Sequence, residues 1–552
     1  MTRRAADLLV DCLRAHGVDR IFCVPGESYL ALLDALHDAP DIHAVACRHE
    51  GGAGLMAVAD AKITGRAGLC AVSRGPGATN ASIAVHTAEQ DAIPLVLLIG
   101  QVARRDLGRG AFQEVDYGKT FSDMAKGVWD VRDADRLPEA IACAIHVAEA
   151  DTPGPTVVVL PEDMLSDPTG AEVVPPLPRP IAAPSADDIE AVLGLLATSR
   201  RPLLIAGGRV GEARGRAALP RAAEAHDLAV ALAFKRQDIL DNAHPNYAGY
   251  LGFKIPADQV DALAEADLIL AVGTRLTDVT TQGYRLPRAP LPEQPLIHVH
   301  PDPARIGGVF RTDLGLAVDP VAFLERLAER AAKPVPARKD WLSALHGRSR
   351  ALAAYRPEPA PDGVNFGAVV HALSERAAPD AVLVTDAGNF AGWVHRHWPW
   401  RSGNLLLGTI GGAMGLGVPG SVAAALRLPG RQVLGFVGDG GMLMTGGELA
   451  TAMSEGAAIK LFVSNNGSYA TIRQHQERAY PGRTSATALT NPDFAAWARA
   501  FGATGIRVER DADIPDAVTE ALAADGPVVV DVRASLQAIS AYTTIEALRA
   551  QS

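Results

Sequence analysis

Val433-Leu-Gly-Phe-Val-Gly438-Asp439-Gly440 and Ile459-Lys-Leu-Phe-Val-Ser-Asn465-Asn466 are two short apolar runs that each end in small or polar residues. Their β-branched and aromatic content predicts two strands. The segment between them predicts a helix, because Thr445 and Glu448 have the spacing of a capping box and Gly456 fits the helix end. A strand, a helix and a second strand form a parallel βαβ unit. In such a unit both strands end at the same edge of the sheet.

Asp439 and Asn466 follow these two strands, so we expect them to be neighbours at the carboxyl edge, where open α/β sheets bind ligands. One carboxylate and one amide oxygen form a hard, oxygen-only donor set. Mg²⁺ takes few such protein ligands and completes its octahedron with phosphate and water. The sequence therefore predicts a Mg²⁺ site that is shared with a diphosphate. The alternative is a tight turn at residues 438–440 and an ordinary loop at residues 465–466.

The order of these two clusters resembles the diphosphate-binding motif of thiamine-diphosphate (ThDP) enzymes. The resemblance implies that the side chains of Asp439 and Asn466 and the backbone carbonyl of Ser468 ligate Mg²⁺. It also implies cofactor contacts at the other residues of the motif, which are Gly438, Gly440, Gly441 and Tyr469.

The composition limits the class of protein. A chain of 552 residues is too long for one hydrophobic core and predicts about two to four domains. The net charge of −11 gives no basic footprint, so no nucleic-acid partner is expected. No apolar run is long enough to span a membrane, and the five cysteines are scattered without a CxxC pair. We therefore expect reduced thiols and a cytoplasmic protein.

Proline-rich stretches at residues 174–184, 333–336 and 356–361 predict linkers, because proline at this density fits neither a helix nor a central strand. They divide the chain into three predicted domains, at residues 1–170, 185–335 and 360–552. Each domain alternates β-branched runs with Ala/Leu-rich stretches, which predicts an α/β fold with three parallel sheets. The first and third domains both close on a Gly-Pro-(Thr/Val)-Val motif, as two related domains would.

The first domain contains Arg48-His-Glu50-Gly-Gly, Ser73-Arg-Gly-Pro-Gly-Ala-Thr-Asn80 and Gly110-Ala-Phe-Gln113-Glu-Val-Asp116. In this order the segments resemble the pyrimidine-binding domain of acetolactate synthase. The resemblance implies that Glu50 is the acid beside the aminopyrimidine ring of ThDP, with cofactor contacts at Ser73 and Asn80. It also implies that Gln113 faces the substrate and that Lys126 is an active-site lysine. The alternative for Glu50 is an ordinary acid that complements the dipole in the first turn of a helix.

Pro25-Gly26-Glu27 resembles the first active-site loop of the same family, which implies cofactor contacts at Pro25 and Gly26. Synthases usually carry a glycine after this Pro-Gly, whereas simple 2-oxo-acid decarboxylases carry an acid. Glu27 is therefore a candidate acid or base beside the substrate. A surface glutamate is the alternative.

Gly411-Gly412-Ala-Met414-Gly in the third domain resembles the segment that holds ThDP in its bent form. The resemblance implies that Met414 lies under the bend and that the Gly412 carbonyl accepts a hydrogen bond from the cofactor; an ordinary core methionine is the alternative. Asp386-Ala-Gly388-Asn389 resembles the family's Asp-x-Gly-Gln and implies contacts at Gly388 and Asn389. His475 stands where acetolactate synthases carry a tryptophan, which predicts a more polar and titratable substrate pocket.

The middle domain contains two apolar runs that end in glycine turns, at residues 202–208 and 268–275, which predict a Rossmann-like sheet. In acetolactate synthase this domain holds FAD. Here Gly252-Phe253-Lys254 replaces the family's Gly-His-Gly-like turn and Val279 replaces an arginine, so FAD is the less favoured prediction. Neither turn is a complete GxGxxG, so NAD is not expected.

Together these resemblances predict a ThDP- and Mg²⁺-dependent decarboxylase and carboligase of 2-oxo acids, similar to acetolactate synthase. The family arrangement implies a homodimer or homotetramer in which Glu50 of one subunit serves the ThDP held by Asp439 of another. The main alternative is a ThDP-dependent C–C lyase for a 2-hydroxy ketone, a 1,2-diketone or a 2-hydroxyacyl-CoA. A CoA substrate would need a basic patch for its diphosphate, and the sequence shows no clear one. Two further candidates are a catalytically silent scaffold and an acetolactate synthase with a regulatory subunit.

Overall fold

The computed structural model describes residues 2–330 and 335–550. Three six-stranded sheets follow one another along this part of the chain, and the strands within each sheet pair in parallel, which confirms the predicted fold class. A short antiparallel ribbon ties the N-terminus to the end of the first unit, with Arg3 opposite Thr169. Among the described residues, no helix combines the length and apolar content that a membrane span would need.

The first unit carries the sheet β3-β2-β4-β5-β7-β6. Its strands are β1 (Arg3–Arg4), β2 (Arg20–Cys23), β3 (His43–Ala46), β4 (Gly68–Val72), β5 (Leu95–Gln101), β6 (Gly127–Asp130), β7 (Pro155–Pro161) and β8 (Pro168–Thr169). Its helices are α1 (Ala5–Ala15), α2 (Leu30–His37), α3 (Glu50–Thr64), α4 (Pro76–Asp91), α5 (Tyr117–Phe121) and α6 (Leu137–Glu149).

The middle unit carries the sheet β11-β10-β9-β12-β13-β14, which is the 3-2-1-4-5-6 order of a Rossmann fold. Its strands are β9 (Pro202–Ala206), β10 (Ala229–Leu232), β11 (Tyr247–Tyr250), β12 (Leu268–Val272), β13 (Leu296–Val299) and β14 (Leu314–Leu316). Its helices are α7 (Ala186–Thr198), α8 (Ala213–His226), α9 (Ala257–Ala264), α10 (Pro320–Ala328) and α11 (Pro336–Ala353).

The third unit carries the sheet β16-β15-β17-β18-β20-β19. Its strands are β15 (Val382–Thr385), β16 (Leu405–Leu407), β17 (Val433–Gly438), β18 (Ile459–Ser464), β19 (Thr504–Val508) and β20 (Val528–Val532). Its helices are α12 (Phe366–Arg376), α13 (Ala391–His397), α14 (Gly417–Arg427), α15 (Asp439–Thr445), α16 (Leu449–Ser454), α17 (Ala470–Ala479), α18 (Phe494–Ala500), α19 (Ile514–Ala523) and α20 (Ile545–Ala550).

The first and third sheets have the same strand order. Counted from its own first strand, each sheet runs 2-1-3-4-6-5. The two units also share one hydrophobic core, in which α3 of the first unit packs against α14 of the third. This contact fixes the start of α3, which is Glu50, relative to the loop that precedes α14.

The predicted capping box at Thr445 is wrong. The helix after β17 begins six residues earlier, at Asp439, and is interrupted by a 3-10 turn before α16. The Thr445 hydroxyl donates to the Gly415 carbonyl at 2.9 Å, and Glu448 accepts from the backbone N–H groups of Arg48 and His49 in the first unit. Two backbone donors in another unit therefore take the carboxylate that a local cap would have used.

The proline-rich stretch at residues 174–184 has no helix or strand, as predicted for a linker. Pro336 instead begins α11, because a proline at the first helical position loses no hydrogen bond; Lys333 and Pro334 lie outside the described residues. The α11 side chains Trp341 and Leu345 join the core of the middle sheet. The middle core therefore includes a helix beyond residue 335, where the sequence prediction ends the domain.

Candidate active site

Asp439 and Asn466 lie at the carboxyl edge of two paired strands, as predicted. Gly438 of β17 pairs with Ser464 of β18, so Asp439 and residues 465–466 leave the sheet side by side. Asp439 is 3% exposed, and burial raises the pKa of its carboxyl. Its oxygens accept from the backbone N–H groups of Gly440 and Gly467, at 2.9 and 2.8 Å. Since no cation pairs with it among the described residues, this buried carboxylate fits a metal ligand.

Asp439 and residues 465–466 form a corner at the sheet edge. Asn491, which was not predicted, completes this corner. Its Nδ2 donates to Asp439 Oδ2 at 2.8 Å and to Asn465 Oδ1 at 2.9 Å. The Asn465 amide in turn donates to Asp531 at 2.8 Å. Asn491 comes from a loop that only the folded chain brings here, and no local sequence pattern marks it.

Glycines let three predicted motifs meet. A Cβ at Gly440 would lie 2.5 Å from the Tyr469 ring and 3.4 Å from Met414 Cε. A Cβ at Gly438 would lie 2.8 Å from the Phe390 ring. The structure thus brings together the residues predicted from the diphosphate motif, the Met414 segment and the segment around Asn389. A larger residue at either glycine would close the space beside Asp439.

Asp386 holds two of these loops together. It lies directly after β15 and is fully buried, and its Oδ1 accepts from the backbone N–H groups of Ala387 and Gly415, at 2.7 and 2.8 Å. Its Oδ2 has no partner among the described residues, and burial raises the pKa of the carboxyl. The sequence prediction named Asp386 only as the first residue of a motif and did not predict that it holds two loops together.

The Asn389 side of the corner is closed by α17. The Asn389 N–H donates to Thr471 Oγ1 at 3.0 Å, and its Nδ2 donates to Gln474 Oε1 at 2.6 Å. His475 follows Gln474 and is exposed. Desolvation first, and then the charges of Lys254 and Arg478, lower the pKa of His475. The neighbouring cations therefore favour the neutral imidazole.

Glu50 is the first residue of α3 and meets a second predicted residue. Asn80 Nδ2 donates to Glu50 Oε2 at 2.9 Å. A Cβ at Gly77 would lie 3.3 Å from Glu50 Oε1, so the glycine turn before α4 lies against the carboxylate. His49 caps the helix by accepting from the Gly51 N–H at 3.0 Å. These contacts fix the direction in which Glu50 leaves the sheet edge.

Gly26, Ser73 and Gln113 surround the same turn. A Cβ at Gly26 would lie 2.6 Å from Ser73 Cβ, which explains why the Pro25-Gly26 loop needs glycine. Gly75, with φ +59°, lies against Gln113, whose own φ is +64°. The structure therefore groups the predicted residues of the first unit at the carboxyl ends of β2, β3 and β4.

Glu27 and Lys126 have other partners. Glu27 is exposed and pairs with Arg74 at 2.8 Å. Lys126 Nζ donates to the carbonyls of Ala150 and Thr152, at 2.8 and 2.9 Å, and burial lowers its pKa. Lys126 directly precedes β6, so it lies at the amino edge of the sheet, opposite the edge that carries Glu50. The structure thus separates Lys126 from the other predicted residues of this unit.

A basic cleft opens at the switch point of the middle sheet, between the ends of β9 and β12. It is open to solvent and is lined by Arg209, Arg236 and Arg275 together with Asp91. The Nε atoms of Arg209 and Arg236 are buried without a partner among the described residues. This cleft corrects the expectation that the chain has no basic patch for a diphosphate. The sequence did not reveal it because each arginine follows a different strand.

The thiamine pyrophosphate enzyme family matches all three units. Its N-terminal TPP binding domain matches residues 3–120, its central domain residues 189–327 and its C-terminal TPP binding domain residues 386–532.

Acetolactate synthases are similar to the chain over nearly its full length. That of Mycobacterium bovis is 34% identical over 545 residues, which cover 95% of this chain and 87% of the relative. The large subunit from Lactococcus lactis is 30% identical over 96% of this chain and 92% of its own length. The isozyme 2 large subunit from Escherichia coli is 31% identical over 96% and 95%, respectively. The chain therefore belongs to the thiamine pyrophosphate enzymes.

Proposed function

We propose that this enzyme uses ThDP and Mg²⁺ to decarboxylate a 2-oxo acid and to join the remaining fragment to a second carbonyl compound. The observation that carries the proposal is the buried Asp439 carboxylate beside Asn466, at the carboxyl edge of the third sheet. Similarity to acetolactate synthases supports the same class of reaction.

The residues at this corner fit Mg²⁺ and a diphosphate. The donors proposed are the side chains of Asp439 and Asn466 and the carbonyl of Ser468, all oxygen atoms. No group of three His, Cys, Asp or Glu side chains arranged to hold a metal occurs among the described residues, so amide and carbonyl oxygens would have to contribute. Gly438, Gly440 and Gly441 leave space for the phosphates.

When bound, ThDP supplies a thiazolium carbon that adds to carbonyl groups and accepts the electron pair left by decarboxylation. Glu50 would hold a hydrogen bond to the aminopyrimidine ring and so favour the tautomer that removes the reactive proton. Asn80 orients Glu50 through the 2.9 Å hydrogen bond. The remaining proposed cofactor contacts are Pro25, Gly26, Ser73, Asn80, Gly388, Asn389, Gly412, Met414 and Tyr469.

Gln113, Glu27 and His475 are the proposed groups on the substrate side. Glu27 or His475 would relay the proton that releases an aldehyde, whereas an acceptor carbonyl would lead to ligation. Lys126, at the opposite edge of the sheet, is left out of this set.

The arginine cleft favours a second candidate, a ThDP-dependent C–C lyase for a 2-hydroxyacyl-CoA, whose diphosphate would lie between Arg209 and Arg236. The same cleft fits the diphosphate of a resident nucleotide such as FAD, although Phe253, Lys254 and Val279 depart from the family's flavin side. Absorbance of the purified protein tests for flavin. Thermal shifts with ADP, CoA and FAD, compared between the wild type and Arg236→Gln, test the cleft itself.

We also propose a cytoplasmic homodimer or homotetramer whose active sites lie between subunits. All five cysteines are unpaired, in keeping with a reducing compartment. Light scattering of the purified protein measures the number of subunits.

The deciding experiment incubates the purified protein, ThDP and Mg²⁺ with a panel of 2-oxo acids and measures CO₂ release and products. CO₂ with a ligated product supports carboligation, and CO₂ with only an aldehyde supports a simple decarboxylase. Bound ThDP without CO₂ from any acid contradicts the proposal and favours the lyase, which a panel of 2-hydroxy ketones and acyl-CoAs would then test.

A further inference from the structure

Lys254 extends from the middle unit into the corner formed by the third unit. Its Nζ donates to Gln474 Oε1 at 2.5 Å and lies 3.5 Å from Asn389 Oδ1. Gln474 lies on α17, the helix that begins two residues after Ser468. The Lys254 ammonium therefore lies beside the residues that flank the proposed cofactor site.

This ammonium has no counterion within the described part of the chain. Its two partners are neutral amide oxygens, and Arg478 is the charged group that acts on it most. Burial first, and then the charge of Arg478, lower the pKa of Lys254 to about 8, so the side chain is still mainly protonated at neutral pH. A half-buried cation held only by neutral oxygens is costly until an anion joins it.

A second hydrogen-bond donor in the same cluster, the side-chain amide of Gln474, lacks an acceptor in the part of the chain that the structure describes. Gln474 is fully buried, and its Nε2 has no acceptor among the described residues. Its Oε1 accepts from both Lys254 and Asn389, which orients the amide so that Nε2 is the free group. The Lys254 ammonium and the unused Gln474 amide N–H are thus two donors in one hydrogen-bonded cluster, and donors of this kind bind carboxylates.

The loop that carries Lys254 is strained and has an apolar side. Lys254 has a φ of +58°, in the left-handed region that long side chains rarely adopt. The neighbouring Phe253 is 60% exposed, and its ring packs edge-on against Phe234 at 5.1 Å. An exposed ring next to an ammonium fits an organic acid better than an inorganic anion.

We propose that Lys254 and Gln474 bind a substrate carboxylate that survives the reaction. This inference rests on the proposed function and deepens it. A carboxylate that leaves as CO₂ loses its charge, so an ammonium would stabilise the ground state more than the transition state and slow the step. The carboxylate held by Lys254 is therefore that of an acceptor 2-oxo acid or the distal one of a dicarboxylic donor.

The test compares Lys254→Met with Lys254→Arg, using Lys339→Met, an exposed lysine on α11, as the control. One arm uses pyruvate as donor and either 2-oxobutyrate or propionaldehyde as acceptor. The other arm measures CO₂ release from 2-oxoglutarate or from 2-oxovalerate, which lacks the distal carboxylate. In one pair only, we expect Lys254→Met to lower kcat/KM by about 10- to 100-fold for the member with the additional carboxylate, which is 2-oxobutyrate or 2-oxoglutarate. Lys254→Arg should restore most of it.

The arm that responds identifies the source of the carboxylate. The ratio of kcat/KM between the two members of each pair is the quantity to compare. If this ratio is the same for the wild type and Lys254→Met in both pairs, the assignment of Lys254 is overturned while the proposed function stands. If the wild type turns over no 2-oxo acid, the proposed function fails, and calorimetric binding of the four acids to the ThDP-loaded protein still decides the role of Lys254. The site is supported if 2-oxobutyrate or 2-oxoglutarate binds Lys254→Met more weakly than it binds the wild type and the other variants. It is refuted if all these proteins bind the acids equally, or if the wild type binds none of them.

Discussion

Asp439 and Glu50 each owe their position to the first turn of a helix that directly follows a parallel strand or its loop. Asp439 begins α15 and Glu50 begins α3. At this position a carboxylate is favoured by the helix dipole. The helix dipole therefore favours a carboxylate at both positions, and their chemistry can be tested by substitutions that keep the helices.

Replacing Glu50 by Gln should leave ThDP affinity nearly unchanged but reduce turnover by about 10²- to 10⁴-fold, because the hydrogen-bonding shape remains while the acid is lost. Steady-state kinetics and ThDP titration by fluorescence measure the two quantities. Glu139→Gln, on the exposed face of α6, is the control. Wild-type turnover in Glu50→Gln would refute the role of this glutamate.

Replacing Asp439 by Ala should weaken Mg²⁺-dependent ThDP binding by more than about 100-fold, since even residues behind a metal ligand commonly cost 10- to 100-fold. Calorimetry with and without Mg²⁺ measures the change, and Asp516→Ala on α19 serves as the control. An unchanged affinity would exclude Asp439 as a metal ligand.

At the scale of elements, the segment from α15 to α16 joins the Asp439 corner to the turn that carries Glu50. It starts with Asp439 and, nine residues later, places Glu448 against the first unit, where the carboxylate accepts from the N–H groups of Arg48 and His49 at 3.1 and 3.0 Å. Glu448 is 1% exposed, and a Cβ at Gly52 would lie 2.4 Å from its Oε1. The position of Glu50 thus depends on a side chain from another unit.

Replacing Glu448 by Ala should leave the N–H groups of Arg48 and His49 without their carboxylate acceptor, at a cost of about 1 kcal/mol each, because these part-buried donors remain within reach of water. We expect a lower unfolding midpoint and a larger loss in kcat than in ThDP affinity, because Glu50 is displaced while the Asp439 corner is kept. Glu448→Gln retains an acceptor oxygen and should recover much of the kcat. Equal losses of kcat in both variants would show that Glu448 acts through its charge and not by holding this turn.

At the scale of the molecule, the sequence predicts the three parallel sheets and the positions of Asp439, Asn466 and Glu50 at strand ends, because both follow from local patterns. Asn491, Asp386 and the three arginines of the middle cleft escape prediction, since each matters only through residues distant in sequence. The resemblance implies that Lys126 is an active-site lysine, but the sheet edge at which it lies depends on where β6 begins. The capping box at Thr445 failed because a tertiary partner for Glu448 outweighs a local one.

A hybrid dimer tests whether Glu50 and Asp439 serve each other across subunits. One chain carries Glu50→Gln and the other Asp439→Ala, and two affinity tags isolate the mixed species. If sites form between subunits, one site is intact and the other doubly defective, so we expect about half the wild-type turnover per dimer. If both residues act within one chain, every site in the hybrid is defective and the activity should be lost.

The matching order of the first and third sheets also bears on the ancestry of the chain. Two sheets that both run 2-1-3-4-6-5 within one polypeptide are what an internal gene duplication would leave behind. A single ancestral unit would have carried both functions on one surface and acted by pairing with itself. After duplication one copy could specialise in the acid and the other in the metal corner. Neither half would then remain an enzyme alone, and selection would hold the two copies together in one gene.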